Sequence, residues 1–367
     1  MSTNQTKNKR HLFFMELALR QARINLGNTK ENPSVGCVVI KNNSLISAGH
    51  TTFNGRPHAE HNAINNSKEE LLNSSLYVTL EPCSHYGKTP PCVKKIIKNK
   101  IKTVYFSIID PDLRSLNKSA KVFRRSNIKV NIGLNSKKIQ NFYKSYVQFK
   151  KNKLPFVTCK LAISKDFFTI NKKKKWITNK YSRGRVHLMR SNHDAIITSS
   201  RTIDIDNPYL NCRINGLEET SPSRIILDNY LKIKLNSNVV KYANKYKTII
   251  FYNKKHPKKI KSLKILGIKV YKIPTNKNGD LDLKKSLNKA RTLGFYRIFL
   301  ETGLKLSNSF LKENLVNDLK IFMSNEMLNK NGSGSIKKYF KTTLIRKKKI
   351  IEKVNLFDEK LITYILK

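Results

Sequence analysis

Acidic residues are scarce in this chain: 24 Asp and Glu stand against 73 Lys and Arg, a net charge of +49 over 367 residues. Other shortages exclude more. Five cysteines, an odd number, speak for reduced thiols and against a disulfide framework. No segment approaches the roughly 18 consecutive apolar residues of a membrane span. The basic N-terminal stretch MSTNQTKNKR lacks the apolar core and small-residue cleavage site of a secretory signal. A cytoplasmic protein without a membrane partner is therefore expected. Glycines number only 14, and no G-x-G-x-x-G follows the first strand of either half, so a standard dinucleotide fingerprint is missing. No repeat with a period of about 20–50 residues is visible.

What is present is length, scattered charge and clumped apolar segments. A chain of 367 residues exceeds the roughly 250–300 at which single cores stop growing, so two domains are expected. The apolar fraction of 39% arrives in runs such as IKTVYFSII, AIITS and KTIIFY, which suit buried strands of a globular enzyme. The positive charge invites a nucleic-acid reading. Yet the lysines are spread over nearly every loop and helix (KNKIK, KKKKW, KKHPKKIKSLK, IRKKKII), with no single stripe interleaved with aromatics on which bases would stack. Drift of solvated positions towards lysine accounts for that pattern, and no specific nucleic-acid partner is expected. A homo-oligomer is compatible with the sequence.

The order of elements reads as alternating α and β. Leu12, Met15, Leu17, Leu19 and Ala22 recur at helical spacing from His11 to Ile24. VGCVVI and SLISAGH read as a hairpin around KNN, GRPHAEHNAI opens a helix near His58, SSLYVTL is a strand, and PPCVKKIIKN starts another helix. A strand KTVYFSII, a helix near Lys118 to Arg125, a strand IKVNI and a helix NFYKSYVQFKKN follow. The boundary falls around 134–155, giving domains at 1–150 and 151–367. The second half has strands at FVTCKLAIS, DAIITSS, RIILD, KTIIFYN, GIKVYKI, RIFLETG and NDLKIFMS, with helices at NKYSRGRVHLMRS and DLKKSLNKARTLG. This alternation predicts helices on both faces of a sheet.

The chemistry gathers around PCSHYGKTPPC, Pro82 to Cys92, in which two cysteines each follow a proline with eight residues between them. Alone it fits a disulfide loop, part of a zinc finger or half of a catalytic site. Upstream, His58-Ala59-Glu60 sits just after Pro57. One His and two Cys meet the count of a catalytic zinc, which keeps three protein ligands and one open position. His58 and Cys92 each open a helix, where the positive end of the helix favours thiolate. Such a metal makes water a nucleophile at neutral pH, and Glu60 is placed to shuttle its proton to a departing amine. His61 is expected as packing or support of the ligands, and His85 either lines the pocket or packs. Cys37, Cys159 and Cys212 read as small hydrophobes in or beside strands.

H-x-E followed by P-C and a second Cys resembles the zinc nucleobase and nucleoside deaminases. The eight-residue spacing, E-P-C-S-H, T-P-P-C and ENPSVGCVVI together resemble the riboflavin-biosynthesis bifunctional deaminase/reductase family. The resemblance implies an α/β architecture: a cytidine-deaminase-like three-layer αβα domain followed by a dihydrofolate-reductase-like α/β domain. It implies Zn2+ held by His58, Cys83 and Cys92, with Glu60 catalytic, and NADPH in the second domain. It also implies two activities on a pyrimidine phosphate: hydrolytic deamination of 2,5-diamino-6-ribosylamino-4(3H)-pyrimidinone 5′-phosphate, then reduction of 5-amino-6-(5-phosphoribosylamino)uracil to its ribityl product.

In the second half KLAISKD, Trp176-Ile177-Thr178, TSSRTIDIDNPYLNCR, Arg224 to Asp228 and Glu301-Thr302-Gly303 resemble segments of the same family. By that resemblance Ile163, Trp176, Thr202, Asp206, Asn229, Gly303 and Leu304 contact NADPH, while Lys160, Arg190, Leu210, Arg213 and Glu301 hold the substrate. Arginine suits a phosphorylated substrate because its planar fork matches a phosphate. Read without the family, Trp176 is a core aromatic and Arg190 a helix cap. The chain departs from the pattern at Phe167, where glycine is usual, at Lys174 in place of serine, at Asn207 and at Thr302. A deaminase with a decayed reductase half, a tRNA-editing deaminase and a non-catalytic nucleic-acid binder are the alternative readings.

Overall fold

The structure is a computed structural model describing residues 3–151, 153–254 and 256–367. Met1 and Ser2 of the basic N-terminal stretch lie outside the described residues, as do Asn152 and Lys255. The chain divides into two units, Met1–Lys153 and Leu154–Lys367.

The first unit is built on a five-stranded sheet. Its strands are β1 (Gly36–Lys41), β2 (Ser44–His50), β3 (Ser75–Leu80), β4 (Thr103–Ile108) and β5 (Lys129–Ile132), in the order β2-β1-β3-β4-β5. β1 runs antiparallel to β2 and β3, and β3, β4 and β5 are mutually parallel. Helices α1 (Thr3–Arg23), α2 (Ala59–Asn65), α3 (Cys92–Lys98), α4 (Ser119–Arg125) and α5 (Ser136–Lys150) surround it. α1 begins well before the expected His11, because its first turns are polar and carry no apolar period to read.

Two glycines show how the helices are layered. A Cβ on Gly36 would stand 1.9 Å from the Ala18 carbonyl oxygen of α1, and one on Gly49 would stand 2.3 Å from the Ala63 nitrogen of α2. Only a missing side chain allows backbones so close. Gly49 pairs with Cys37, the neighbour of Gly36. Residues facing one another across a ladder share a face and successive residues alternate, so α1 and α2 cover opposite faces of the sheet. That is the three-layer arrangement expected from the sequence. The buried core runs from Met15 and Leu19 through Val38, Leu76 and Val104 to Phe123 and Ile139.

The second unit holds a nine-stranded sheet. Its strands are β6 (Phe156–Ile163), β8 (Ala195–Ser199), β9 (Ser223–Leu227), β10 (Thr248–Tyr252), β11 (Lys269–Lys272), β12 (Arg297–Leu300), β13 (Asp318–Met323), β15 (Lys348–Ile351) and β16 (Lys360–Ile365). They lie in the order β11-β10-β9-β8-β12-β6-β13-β16-β15. Strands from β11 to β13 are parallel, and β16 returns antiparallel between β13 and β15. A small antiparallel pair joins β7 (Phe168–Asn171) to β14 (Gly332–Ser335). The helices are α6 (Lys180–Ser191), α7 (Ser200–Asp206), α8 (Asn238–Lys241), α9 (Pro257–Ile265), α10 (Leu283–Thr292) and α11 (Leu304–Lys312), with a last short turn at Lys337–Tyr339.

The apolar runs are continuous because both faces of these strands are buried. Ile225, Leu227, Ile249, Phe251, Ile298 and Leu300 join one core, while Ile226, Ile250 and Phe299, one residue out of phase, join the other. Among the described residues no helix is long and apolar enough to cross a membrane.

Candidate active sites

In the first unit the chain leaves the buried strand β3 at Glu81-Pro82-Cys83, while α2 and α3 begin immediately after His58 and Pro91. This brings His58, Cys83 and Cys92 together, their ligand atoms all within 4.8 Å of one another. His58 Nδ1 lies 3.6 Å from Cys83 Sγ and 3.4 Å from Cys92 Sγ. Zn–S bonds of about 2.3 Å and Zn–N bonds of about 2.05 Å at a tetrahedral angle require an N···S separation of about 3.6 Å, so this donor set fits zinc.

The electrostatics fit as well. The Cys83 thiol is pulled well below its ordinary value, chiefly by the Cys92 hydrogen bond, with the His58 imidazole helping. Cys92 is pushed up by its bond to Cys83 and by burial. The pair thus gives up one proton easily and holds the second against like-charge repulsion, which a bound cation relieves. Burial opposes protonation of His58, but the Cys83 hydrogen bond and the Glu60 charge outweigh it and raise its pKa. Glu60, 4% exposed in the first turn of α2, is pushed up to about 7 by burial and then by the Cys83 charge. A carboxyl poised near neutrality can both take and return a proton.

Around this centre, His61 is partly buried and its Nε2 has no partner among the described residues. His85 donates to or accepts from Ser115 Oγ at 3.0 Å. The loop carrying Ser115 is tied down by Glu81, the first residue of E-P-C-S-H, to which the motif reading gave no role. Glu81 Oε2 accepts the N–H groups of Asp110 and Asn117, each at 3.2 Å, and Oε1 accepts the Ser119 N–H at 3.1 Å and hydroxyl at 2.9 Å. A glutamate directly after an almost wholly buried strand was the available signal. Cys37, Cys159 and Cys212 are all buried and free.

In the second unit most of the expected residues gather at the carboxyl ends of parallel strands, where open α/β sheets present their crevices. Glu301 follows β12, and Arg190 on α6 meets it with both arms: Nε donates to Oε2 at 2.9 Å and Nη2 to Oε1 at 2.8 Å. Arg190 is therefore an ion-pair partner rather than a helix cap. Burial alone would raise Glu301; the Arg190 guanidinium outweighs it and, with Lys160, holds the carboxyl down at about 2. Desolvation lowers Lys160 on β6, with Glu301 opposing. Arg190 Nη1 also donates to the Asn211 carbonyl at 2.9 Å, and Arg213 Nη1 to the Asn211 Oδ1 at 3.1 Å, so the loop carrying the buried Leu210 joins the same group.

His187 was missed. It stands one turn before Arg190 on α6, its Nδ1 3.0 Å from the Asn211 carbonyl. Burial, then the charges of Arg190 and Arg213, depress it to about 4, so it is neutral at pH 7. The i, i+3 spacing of His187 and Arg190 was the sequence signal.

A second group lies where β8 passes into α7. Ser199 Oγ accepts the Thr202 N–H at 3.2 Å, Thr202 Oγ1 lies 3.2 Å from Thr302 Oγ1, and the Gly303 N–H donates to Thr202 Oγ1 at 3.4 Å. Gly303 caps α11, of which Leu304 is the first residue. Asp206 ends α7, raised by burial and countered by Lys175. Ile163 closes β6 with its carbonyl accepting the Ser324 N–H at 2.8 Å. Trp176 is 55% exposed, not a core aromatic, and Arg183 of α6 stands 5.2 Å from its ring centre. Asn229 follows β9, its side-chain amide donating to the Gly279 carbonyl at 2.8 Å. Arg224 belongs to the scaffold: fully buried, it donates to the carbonyls of Tyr209, Val239, Tyr242 and Tyr246.

Residues 8–108 match the family model of the cytidine and deoxycytidylate deaminase zinc-binding region, and residues 155–356 match that of the RibD C-terminal domain. The riboflavin biosynthesis protein RibD of Aquifex aeolicus is 31% identical over 92% of this chain and 94% of its own length. The chain belongs to the RibD family. The RibD of Bacillus amyloliquefaciens is 32% identical over 85% of this chain and 84% of its own. A solved diaminohydroxyphosphoribosylaminopyrimidine deaminase/5-amino-6-(5-phosphoribosylamino)uracil reductase from Thermotoga maritima superposes with a TM-score of 0.82 at 28% identity, covering 98% of this chain and 99% of that one. Like other RibD proteins, this one is a bifunctional enzyme of riboflavin biosynthesis, a zinc-dependent deaminase joined to an NADPH-dependent reductase. The match of both halves leaves the editing-deaminase and deaminase-only readings without support.

Proposed function

We propose that the first unit deaminates 2,5-diamino-6-ribosylamino-4(3H)-pyrimidinone 5′-phosphate and that the second reduces the resulting 5-amino-6-(5-phosphoribosylamino)uracil to the ribityl product. The observation that carries the first step is the His58, Cys83 and Cys92 triad with buried Glu60 beside it. His58, Cys83 and Cys92 would hold the zinc, which when bound would supply a Lewis acid that makes water a nucleophile at neutral pH. Glu60 takes a proton from the attacking water and returns it to the departing amine, so that water and the exocyclic C–N bond become a carbonyl and ammonia. Burial lifts its pKa above the ordinary carboxylate range, towards the operating pH, which suits both directions of that transfer.

In the second unit bound NADPH would be the source of the hydride for the reduction of the ribosyl group. Thr202, Asp206, Asn229, Ile163, Trp176, Gly303 and Leu304 form its binding surface, with the Ser199, Thr202 and Thr302 hydroxyls clustered beside the start of α11. Lys160, Arg190, Leu210, Arg213 and Glu301 orient the phosphorylated substrate, and their cations complement its phosphate. The compartment this reading implies is the cytoplasm, where thiolate ligands stay reduced, and the partner is the small-molecule substrate.

Glu60→Gln tests the first step. It keeps the side chain's shape and removes its basicity, so ammonia release falls by about 10²–10⁴-fold while zinc content is unchanged. Undiminished ammonia release from zinc-loaded Glu60→Gln refutes the assignment.

A further inference from the structure

Arg56 lies two residues ahead of His58, at the entry to α2. Its side chain bends towards the loop between Cys83 and Cys92. Nη1 donates to Thr89 Oγ1 at 2.6 Å, and Thr89 is on the loop between Cys83 and Cys92. Nη2 passes over Gly87 of the same loop, 3.5 Å from where a Cβ would stand. The guanidinium therefore bridges the two segments that deliver the triad, and its charge is felt at the His58 imidazole.

This arginine is partly buried, yet among the described residues no carboxylate pairs with it. Three other cations of the neighbourhood are committed, while Lys88 of the same loop is exposed. Lys94 Nζ donates to the Tyr86 hydroxyl at 2.5 Å and Lys95 Nζ to Asn65 Oδ1 at 2.5 Å. Arg114 is paired with Asp112 at 2.6 Å. Arg56 is held in place by one hydroxyl and has its remaining N–H groups to offer to an anion beside the reacting centre. The fork geometry of a guanidinium favours a phosphate, which it can bind through two parallel bonds.

We propose that Arg56 recognises the phosphate of the deaminase substrate, donating to the phosphate oxygens while the pyrimidine reaches Glu60 and the metal-ligand triad. The proposal rests on the reading that this substrate is a pyrimidine ribosyl phosphate. Thr89 acts as the positioning partner, fixing the guanidinium so that little side-chain freedom is lost on binding.

The test is steady-state ammonia release by the zinc-loaded full chain, for wild type, Arg56→Ala and Arg56→Lys, on the pyrimidine ribosyl phosphate and on its dephosphorylated nucleoside. Arg56→Ala is expected to raise KM for the phosphate about tenfold or more with kcat nearly unchanged, and to leave kcat/KM for the nucleoside as in wild type. Arg56→Lys recovers part of the loss, since it restores charge without the fork. Wild-type kinetics of Arg56→Ala on the phosphate overturn the proposal, as does an equal loss on both compounds, which marks a structural role. Wild-type chain that deaminates neither compound refutes the substrate reading itself, and the proposal falls with it.

Discussion

Replacing Arg190 with methionine keeps an apolar stem and removes the charge that neutralises Glu301. The side chains are only 10% and 17% exposed and share two hydrogen bonds, so the carboxylate left behind is largely buried and stripped of its main partner. Glu301 titrates at about 2 in place of 4.5. At about 1.4 kcal/mol per unit, that difference corresponds to about 3 kcal/mol of stability at neutral pH, and breaking buried pairs costs about 3–5 kcal/mol in general. Lys160 still faces the carboxylate, which argues for the lower figure. A loss of about 3 kcal/mol shifts the melting temperature of a unit this size by about 6–12 °C. Trp176, the sole tryptophan, lies in the second unit, so its fluorescence follows that unit's unfolding.

The sign of the pH dependence is fixed by the depressed pKa. The stabilisation is complete above the unfolded value of 4.5 and drains away as pH falls towards 2. The gap between wild type and Arg190→Met therefore narrows by about 1.4 kcal/mol between pH 7 and pH 3.5. Replacing both partners, Arg190→Met with Glu301→Met, removes the orphaned charge and is less destabilising than Arg190→Met alone. A loss below about 1 kcal/mol at pH 7, or one that stays constant down to pH 3.5, refutes the reasoning.

Two further outcomes follow from the separation of chemistries between the units. A chelator that strips zinc abolishes ammonia release, whereas NADPH oxidation with the aminouracil substrate supplied directly continues; parallel loss of both activities contradicts this. NADPH quenches Trp176 fluorescence, because the exposed ring lies among the residues assigned to the cofactor, and an unchanged spectrum at saturating NADPH removes Trp176 from that surface.

The deaminase centre was legible in the sequence because its parts are short motifs at the starts of helices and the end of a strand. His58 and Glu60 are two residues apart, and prolines mark the approach to both His58 and Cys92. The parallel strands were legible for a different reason: burial on both faces makes each an unbroken apolar run. Contacts that join distant segments left no such trace. Arg190 and Glu301 are 111 residues apart, and neither neighbourhood names the other. β14 reads GSGS and β15 reads KKII, compositions with too few β-branched or aromatic residues in alternation to announce a strand.

The C-terminal segment also explains how the chain tolerates one of its departures, Phe167. Phe167 adopts φ of 70°, the left-handed region in which glycine is at ease and a side chain costs about 1–2 kcal/mol. That cost is offset by a contact glycine cannot make, the packing of the Phe167 ring 4.8 Å from Phe340, while the backbone carbonyl accepts the Ile336 N–H at 2.9 Å. The same segment reaches α6. Glu359 Oε1 accepts the Asn179 N–H at 2.7 Å, and its other oxygen accepts the Ser182 hydroxyl, so the N-terminus of the helix carrying His187 and Arg190 is fastened by residues near the chain's end. Glu352 is bound in turn by Lys320 of β13 and by Thr363 of β16. The conformation of Phe167 after β6 and the anchoring of the helix that carries Arg190 are thus answered by one C-terminal stretch, from Ile336 to Glu359. Its sequence is unremarkable because its role lies in backbone and carboxylate contacts, which many sequences supply.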